Sequence, residues 1–322
     1  MKRVSAIRLF VLSVVTVFAV SLTLLLPTAD VAEVKAQIGF TNASIDGTYA
    51  VYSPAEVRAT VDGSVLSLAH FDGQGSWTSS NLRNTPDRVG GRLIESFDSF
   101  GTYDVNVRGM ATAVSMTAED DGTVTSADFD FVITHTVTQG RLEVATQFFA
   151  IPRLSSTGKP SSLVFKRLPD AVAFSNDHLE GKYAYTYSIG DNVSAGLGVM
   201  DFTASGSLSG QQLENTPSLQ AGSHIGAKCF PCLTGDGIER ERQIAEATVG
   251  GDFSLNSDGM GTQRLLFTSA AEGINESNFD ILVTQAEVVG NSIVVTEFIA
   301  LQREPEGGSG ALRTLFFTRL TD

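Results

Sequence analysis

The two cysteines of this 322-residue chain form one pair, Cys229-Phe-Pro-Cys232, whose residue type and spacing suggest chemistry. A Cys-x-x-Cys pair is a redox centre when its first sulfur lies at a helix N-terminus beside a βαβ unit, because the helix dipole favours the thiolate. No such pattern flanks this pair. His224 and Asp236 make a metal site an alternative, although structural zinc sites need four ligands. In an exported chain a local disulfide is the usual state. We therefore predict that Cys229 and Cys232 are oxidised to each other, and we expect neither a metal nor a cofactor.

The sequence lacks the common catalytic signatures. It contains no Gly-x-Ser-x-Gly elbow, no Walker loop and no His-Glu-x-x-His pair. One aspartate recurs in each half, as Asp130 and Asp280, on what alternation predicts to be an outward strand face, where a carboxylate is typically a cross-strand partner. We therefore expect no catalytic residue, and a binding protein is favoured over an enzyme.

A phenylalanine-rich strand is the best candidate for binding. In Thr123–Val137, strict alternation places its aromatic residues on one face, which we expect to line the interior of a barrel. A mainly apolar pocket with one or two polar groups is the usual design of a small-molecule site. For the one histidine, a place at the barrel rim in water is the more usual outcome, and a ligand contact is the alternative. The predicted ligand-binding residues, four from each half, are Phe129, Phe131, Ile133, His135, Phe279, Ile281, Val283 and Gln285.

The elements around that strand also alternate apolar with polar residues, which predicts β-strands separated by Gly-rich turns. Short antiparallel strands joined in sequence favour an up-and-down barrel, since closure leaves no exposed edge. Two β-sandwiches are the alternative. The predicted strands of the first half are Gly47–Ser53, Ser64–Phe71, Ser76–Leu82, Arg92–Phe97, Thr102–Val107, Ala111–Ala118, Thr123–Val137, Arg141–Ile151 and Ser162–Leu168.

The chain carries this pattern twice. Phe129-Asp-Phe-Val-Ile-Thr134 returns 150 residues later as Phe279-Asp-Ile-Leu-Val-Thr284, and self-similarity on this scale marks a duplicated domain. We predict an all-β fold of two tandem barrel domains in contact, at residues 37–170 and 176–322. The second half has an insertion at about residues 218–247, around the cysteine pair. We predict that it is an ordered excursion and that any partner-specific contact lies there.

The N-terminus reads as an export signal. Lys2, Arg3 and Arg8 precede an apolar run that is followed by Val34-Lys-Ala36, so we predict a signal peptide at residues 1–36. A retained membrane anchor is the alternative; after cleavage we expect no membrane span. Removing those residues takes away four basic and two acidic groups, which changes the net charge from −14 to −16. So acidic a chain is a poor partner for nucleic acid. We expect a periplasmic, secreted or cell-surface protein.

Short motifs resemble a known group of barrels. Each half opens with Gly-x-Tyr, at Gly47 and Gly181, and each ends in a strand with an arginine, Arg167 or Arg319, next to its last leucine. The first half also contains Phe71-Asp-Gly-Gln-Gly75. Together these resemble the calycin barrels, which include lipocalins, avidins and allene oxide cyclase-like proteins, and in particular small exported bacterial domains of this type. In lipocalins an arginine from the last strand covers a Gly-x-Trp tryptophan, whereas this chain has tyrosine there.

The resemblance implies that Arg167 covers Tyr49 and that Arg319 covers Tyr183, as structural closures of one barrel end. For function it leaves three hypotheses. The first is an exported, non-enzymatic binding module for a small apolar ligand. The second is a structural or interaction protein of the cell surface with filled barrels. The third, least favoured, is an enzyme similar to allene oxide cyclases. The free volume inside the barrels distinguishes the first two.

Overall fold

The fold was examined in a computed structural model. It describes residues 39–53, 64–86, 91–118, 122–153, 162–170, 172–189, 194–217, 242–269, 273–304 and 312–321. The described chain is built from β-strands, as predicted, and it forms two closed, eight-stranded antiparallel barrels in tandem. The two β-sandwiches considered as an alternative are therefore excluded.

The first barrel follows a four-residue 3-10 turn, Asn42–Ile45, and each strand pairs with its successor. Its strands are β1 (Gly47–Tyr52), β2 (Ser64–Phe71), β3 (Ser76–Pro86), β4 (Arg92–Val105), β5 (Met110–Ala118), β6 (Val124–Gln139), β7 (Leu142–Pro152) and β8 (Leu163–Arg167).

The second barrel repeats this plan after a second 3-10 turn, Asn176–Leu179. Its strands are β9 (Gly181–Ile189), β10 (Ser194–Phe202), β11 (Ser207–Pro217), β12 (Arg242–Leu255), β13 (Met260–Ser269), β14 (Gly273–Val289), β15 (Ser292–Gln302) and β16 (Arg313–Arg319). No helix in the described part of the chain has the length and hydropathy that a membrane span requires.

Closure joins the first strand of each barrel to its last. β1 pairs with β8 so that Tyr49 lies opposite Arg167, and β9 pairs with β16 so that Tyr183 lies opposite Arg319. The 3-10 turns lie against the same end of each barrel. Asn42 Oδ1 accepts a hydrogen bond from Val105 N at 2.7 Å, and the second barrel repeats this bond between Asn176 and Leu255. The two copies of the repeated sequence therefore close their barrels through equivalent strand pairs and hydrogen bonds.

Several predicted strand boundaries differ from the structure; β3 extends to Pro86, and the largest difference is in β4. Arg92–Phe97 and Thr102–Val107, predicted as two strands, are mostly parts of the single strand β4, which passes through Gly101. A Cβ at Gly101 would lie 1.8 Å from Val114 O and 2.8 Å from Trp77 Nε1. The glycine is therefore a point of close approach inside a strand rather than a turn residue.

Candidate functional site

The closed end of each barrel is built around a buried tyrosine. The Tyr49 hydroxyl donates to Ala145 O at 2.8 Å, and the Tyr183 hydroxyl donates to Val295 O at 2.7 Å. Burial raises the pKa of both phenols, that of Tyr183 to about 12, even though the neighbouring arginine favours the ionised form. Both hydroxyls therefore stay protonated at neutral pH and act as hydrogen-bond donors.

The last-strand arginines lie against glycines of the first strands, which leave space for the guanidinium groups. The guanidinium carbon of Arg319 is 5.6 Å from the centre of the Tyr183 ring, and its Nη1 donates to the hydroxyl at 3.2 Å. A Cβ at Gly181 would lie 2.6 Å from Arg319 Nη2, and one at Gly47 would lie 2.8 Å from Arg167 Nη2. The Gly-x-Tyr motif thus combines a ring for contact with a glycine that gives the arginine space.

The predicted ligand residues of the first barrel belong largely to a packed core. Phe131 is buried, and its ring centre lies 5.3 Å from that of Phe148 and 5.5 Å from that of Phe165. Phe129 and Ile133 are half-buried and pack against the same cluster. Rings in mutual contact at such distances fill the centre of this barrel.

His135 is exposed and does not continue the inward face of β6. The strand carries a β-bulge here: Ile133 pairs with Phe148, but the register shifts on either side of His135. An extra residue breaks strict alternation, which sequence periodicity alone does not reveal. The His135 Nδ1 atom lies 3.2 Å from Thr134 Oγ1.

The second barrel repeats this arrangement. Phe279, Ile281 and Val283 are fully buried in its core, whereas Gln285 is exposed beside an equivalent bulge. The ring centres of Phe298 and Phe317 are stacked 4.2 Å apart. All eight predicted residues thus lie on two equivalent strands. Six of them belong to the cores and serve packing, whereas His135 and Gln285 are exposed.

The two interiors differ toward the other barrel end, a feature that sequence reasoning missed. In the first barrel small polar residues line the inner wall: Ser99 Oγ lies 2.8 Å from Thr117 Oγ1, and Asn81 Nδ2 donates to Ser99 Oγ at 3.3 Å. At the rim, Arg83 pairs with Glu95 at 2.7 Å. The sequence signal for this polar wall was the period-2 spacing of the small polar residues Ser79 and Asn81 on β3.

In the second barrel large residues occupy the corresponding positions. The Tyr185 hydroxyl donates to Gln212 Oε1 at 2.9 Å, and Gln212 Nε2 donates to the Tyr187 hydroxyl at 3.0 Å. Phe267 stands where the first barrel has Thr117, and the Arg313 guanidinium lies 5.5 Å from its ring centre. This half of the second barrel is therefore filled by aromatic rings.

A groove of about 440 Å³ lies on the outside of the first barrel, over β1 to β4. Leu68 and Phe100 provide its apolar surface, and His70, Asp98 and Ser80 provide polar groups. Ser80 donates to Asp98 at 3.0 Å. This groove is open to solvent.

The two barrels contact each other through their outer surfaces. Leu66 and Leu168 of the first barrel belong to one buried cluster with Leu282 and Leu301 of the second. Asn84 Nδ2 donates to the backbone oxygens of residues 302 and 303, at 3.1 and 2.9 Å. Lys166 and Glu297 form an ion pair across the same contact. Apolar burial together with these hydrogen bonds and the ion pair makes this a specific interface.

The predicted disulfide lies outside the described residues, because Cys229 and Cys232 fall between residues 218 and 241. The remaining part of the predicted insertion, residues 242–247, is the beginning of β12 and pairs with β11. Among the described residues, no cluster of His, Cys, Asp and Glu is suited to hold a metal ion.

Comparison with protein-family models and with curated proteins finds no match for this chain.

Proposed function

We propose that this protein is a non-enzymatic interaction protein whose barrels are filled scaffolds and whose recognition surfaces lie on their outer faces. The observation that carries this proposal is the aromatic packing at the centre of both barrels. In the first, Phe148 and Phe165 stack with ring centres 4.4 Å apart, as their counterparts do in the second. Rings this close leave no room between them for a ligand of ordinary size.

Exposed apolar side chains on the strand exteriors support the same proposal. Large residues of both barrels are exposed although they lie within β-strands, among them Val132, Ile151, Leu197 and Val199. Contiguous exposed apolar surface typically marks an interaction site. The barrels themselves we assign to the calycin type, because each closes eight strands in sequence order and covers a first-strand tyrosine with a last-strand arginine.

A second candidate function rests on the polar inner wall of the first barrel. Asn81, Ser99 and Thr117 offer hydrogen bonds there, and the Arg83 guanidinium lies 5.1 Å from the Phe97 ring at the rim. Because the second barrel fills this region with rings, the smaller residues here favour a small ligand that carries hydrogen-bonding groups. The apolar ligand predicted from the sequence finds less support in this wall.

A neutral environment-sensitive dye, Nile red, distinguishes the two candidates. Outer-face recognition predicts that Leu197→Glu and Val132→Glu each reduce its fluorescence, since both remove exposed apolar surface. The control is Thr117→Phe, which copies Phe267 of the second barrel and fills the inner wall; it should leave the fluorescence unchanged. Loss of dye binding in Thr117→Phe alone would overturn the proposal in favour of an internal ligand site.

A further inference from the structure

The contact between the two barrels joins two different faces. The first barrel contributes its leucine face, which we define as Ala50 on β1, Leu66 and Leu68 on β2, and Leu168 directly after β8. The second contributes the outer side of the β14–β15 hairpin, its hairpin face, which we define as Leu282, Ile299 and Leu301. Both β1 and β8 lie against β14. Lys166–Glu297 and the Asn84 hydrogen bonds hold β15 on either side of Ile299 and Leu301.

Because the chain is duplicated, each barrel carries both faces. The strand pairings align Gly47 with Gly181 and Phe71 with Phe202, and β6 and β7 align with β14 and β15 at an offset of 150 residues. The leucine face of the second barrel is therefore Ala184, Leu197, Val199 and Leu320. The hairpin face of the first barrel is Val132, Phe149 and Ile151.

The copies that the internal contact does not use are exposed. Leu66 and Leu168 are each 3% exposed, whereas Leu197 and Leu320 are 55% and 43% exposed. On the hairpin faces the contrast is the same: Leu282, Ile299 and Leu301 are at most 3% exposed, while Val132, Phe149 and Ile151 are 45%, 36% and 50% exposed. The molecule thus presents one unmatched half of its own interface on each barrel.

We propose that these two exposed faces bind each other between molecules, so that the partner is a second copy of this chain. The leucine face of the second barrel docks on the hairpin face of the first barrel of the next molecule, which repeats the internal contact. Such a head-to-tail contact leaves one face of each kind free at the ends, so it propagates until a ring closes or a filament grows. This inference rests on the proposed outer-face recognition and names its partner.

The polar groups around the two faces are compatible with this docking. The positions of Lys166 and Glu297 are taken by Thr318 and Gln147, so the contact buries no unpaired charge there. On the hairpin face, Asp130 is already paired with Arg153 at 2.7 Å, as Asp280 is with Arg303 in the internal contact. The asparagine that spans the internal contact, Asn84, is repeated as Asn215.

The intermolecular contact is weaker than the internal one for two reasons. The internal barrels are joined by a short linker, which raises their effective concentration to the order of millimolar. In addition, each copy is strongly acidic, with a net charge of −14 for the full sequence, so that copies repel each other at low ionic strength. Assembly should therefore depend on protein concentration and increase with added sodium chloride, because salt screens the repulsion while apolar contact persists.

A mixing experiment with two charge variants tests the proposal. The full chain is expressed and purified with the N-terminus that its host leaves, and its mass is followed by sedimentation equilibrium. Leu197→Glu removes the leucine face of the second barrel, and Ile151→Glu removes the hairpin face of the first. Each variant alone should associate at least about 30-fold more weakly than the wild type, the effect of losing an interface hot spot. Mixed in equal amounts, they should form a 1:1 dimer and nothing larger, because each retains the face that the other lacks.

The matched control is Ile274→Glu, which places the same charge at an exposed residue outside both faces and should assemble as the wild type does. Circular dichroism verifies that all variants are folded, and Val199→Glu and Val132→Glu replace any that are not. Dimers formed by one variant alone, or no dimer in the mixture, would overturn the head-to-tail contact. If the wild type is monomeric at every concentration and salt level while Leu197→Glu still lowers Nile red binding, the self-docking is wrong but outer-face recognition stands.

Discussion

At the scale of single residues, the tyrosine hydroxyls at the closed ends are hydrogen-bonded groups inside the two cores. Each is buried and donates to one carbonyl of the seventh strand of its barrel. Tyr49→Phe should lower the free energy of unfolding by about 1–3 kcal/mol, because it leaves Ala145 O without its donor in a dry site. Urea denaturation measures the change. Tyr52→Phe is the control, since the Tyr52 hydroxyl has no hydrogen bond to a described residue, and an equal loss in both variants would contradict this role.

The equivalent aspartates Asp130 and Asp280 should respond to pH in opposite ways. Burial in the barrel contact raises the pKa of Asp280 although Arg303 is close, whereas the exposed Asp130 has its pKa lowered by hydrogen bonds from Arg153. A raised pKa in the folded state means that stability falls as the pH rises through it. A lowered pKa means that stability is lost as the pH falls.

Urea unfolding at about pH 7 and about pH 3.5 tests this pair. On acidification the wild type should gain stability relative to Asp280→Asn and lose stability relative to Asp130→Asn. The same sign of change in both variants would show that the two aspartates do not differ in environment.

Part of this residue-level picture could be predicted from the sequence. Gly-x-Tyr and the last-strand arginines are short local signals, and they lie together because barrel closure pairs the first strand with the last. The exposure of His135 was the more usual expectation, but its cause could not be predicted, because a single bulged residue changes the alternation without changing composition. The rings Phe131 and Phe279 were correctly assigned to an inward face, yet alternation does not tell whether an inward face is open or packed.

At the scale of elements, equivalent strands of the two barrels contribute differently to the free energy of unfolding, because only one copy of each face is covered. Leu301→Ala on β15 should cost about 2–5 kcal/mol of unfolding free energy, since it leaves a cavity in the barrel contact. Ile151→Ala, at the equivalent position of β7, should change it by less than about 0.5 kcal/mol at protein concentrations too low for assembly. Thermal or urea unfolding compares them, and comparable losses would mean that the β15 face is not the covered one.

Strand existence and order were predictable, because alternation and Gly-rich turns set both, and sequential pairing closed each barrel. The continuity of β4 was not predictable, because a glycine such as Gly101 is typical of turns. Only the structure shows that Val114 and Trp77 lie too close to it for a side chain.

At the scale of the whole molecule, the duplication predicted two barrels and the lack of a long polar linker predicted that they are in contact, but neither predicted which faces meet. Leu282 and Val132 occupy equivalent positions and have similar side chains, so local sequence does not distinguish the covered position from the exposed one. That difference arises only when the barrels dock, and it is what leaves a matching pair of faces at the two ends of the molecule.

Native mass spectrometry of the protein purified from its own host tests whether the barrels are filled and recognition lies on their outer faces. We expect the mass of the mature chain, alone and in multiples of that mass, with no small molecule released on denaturation. A stoichiometric small molecule that stays with the folded chain and leaves when it unfolds would contradict the claim and place the function inside a barrel.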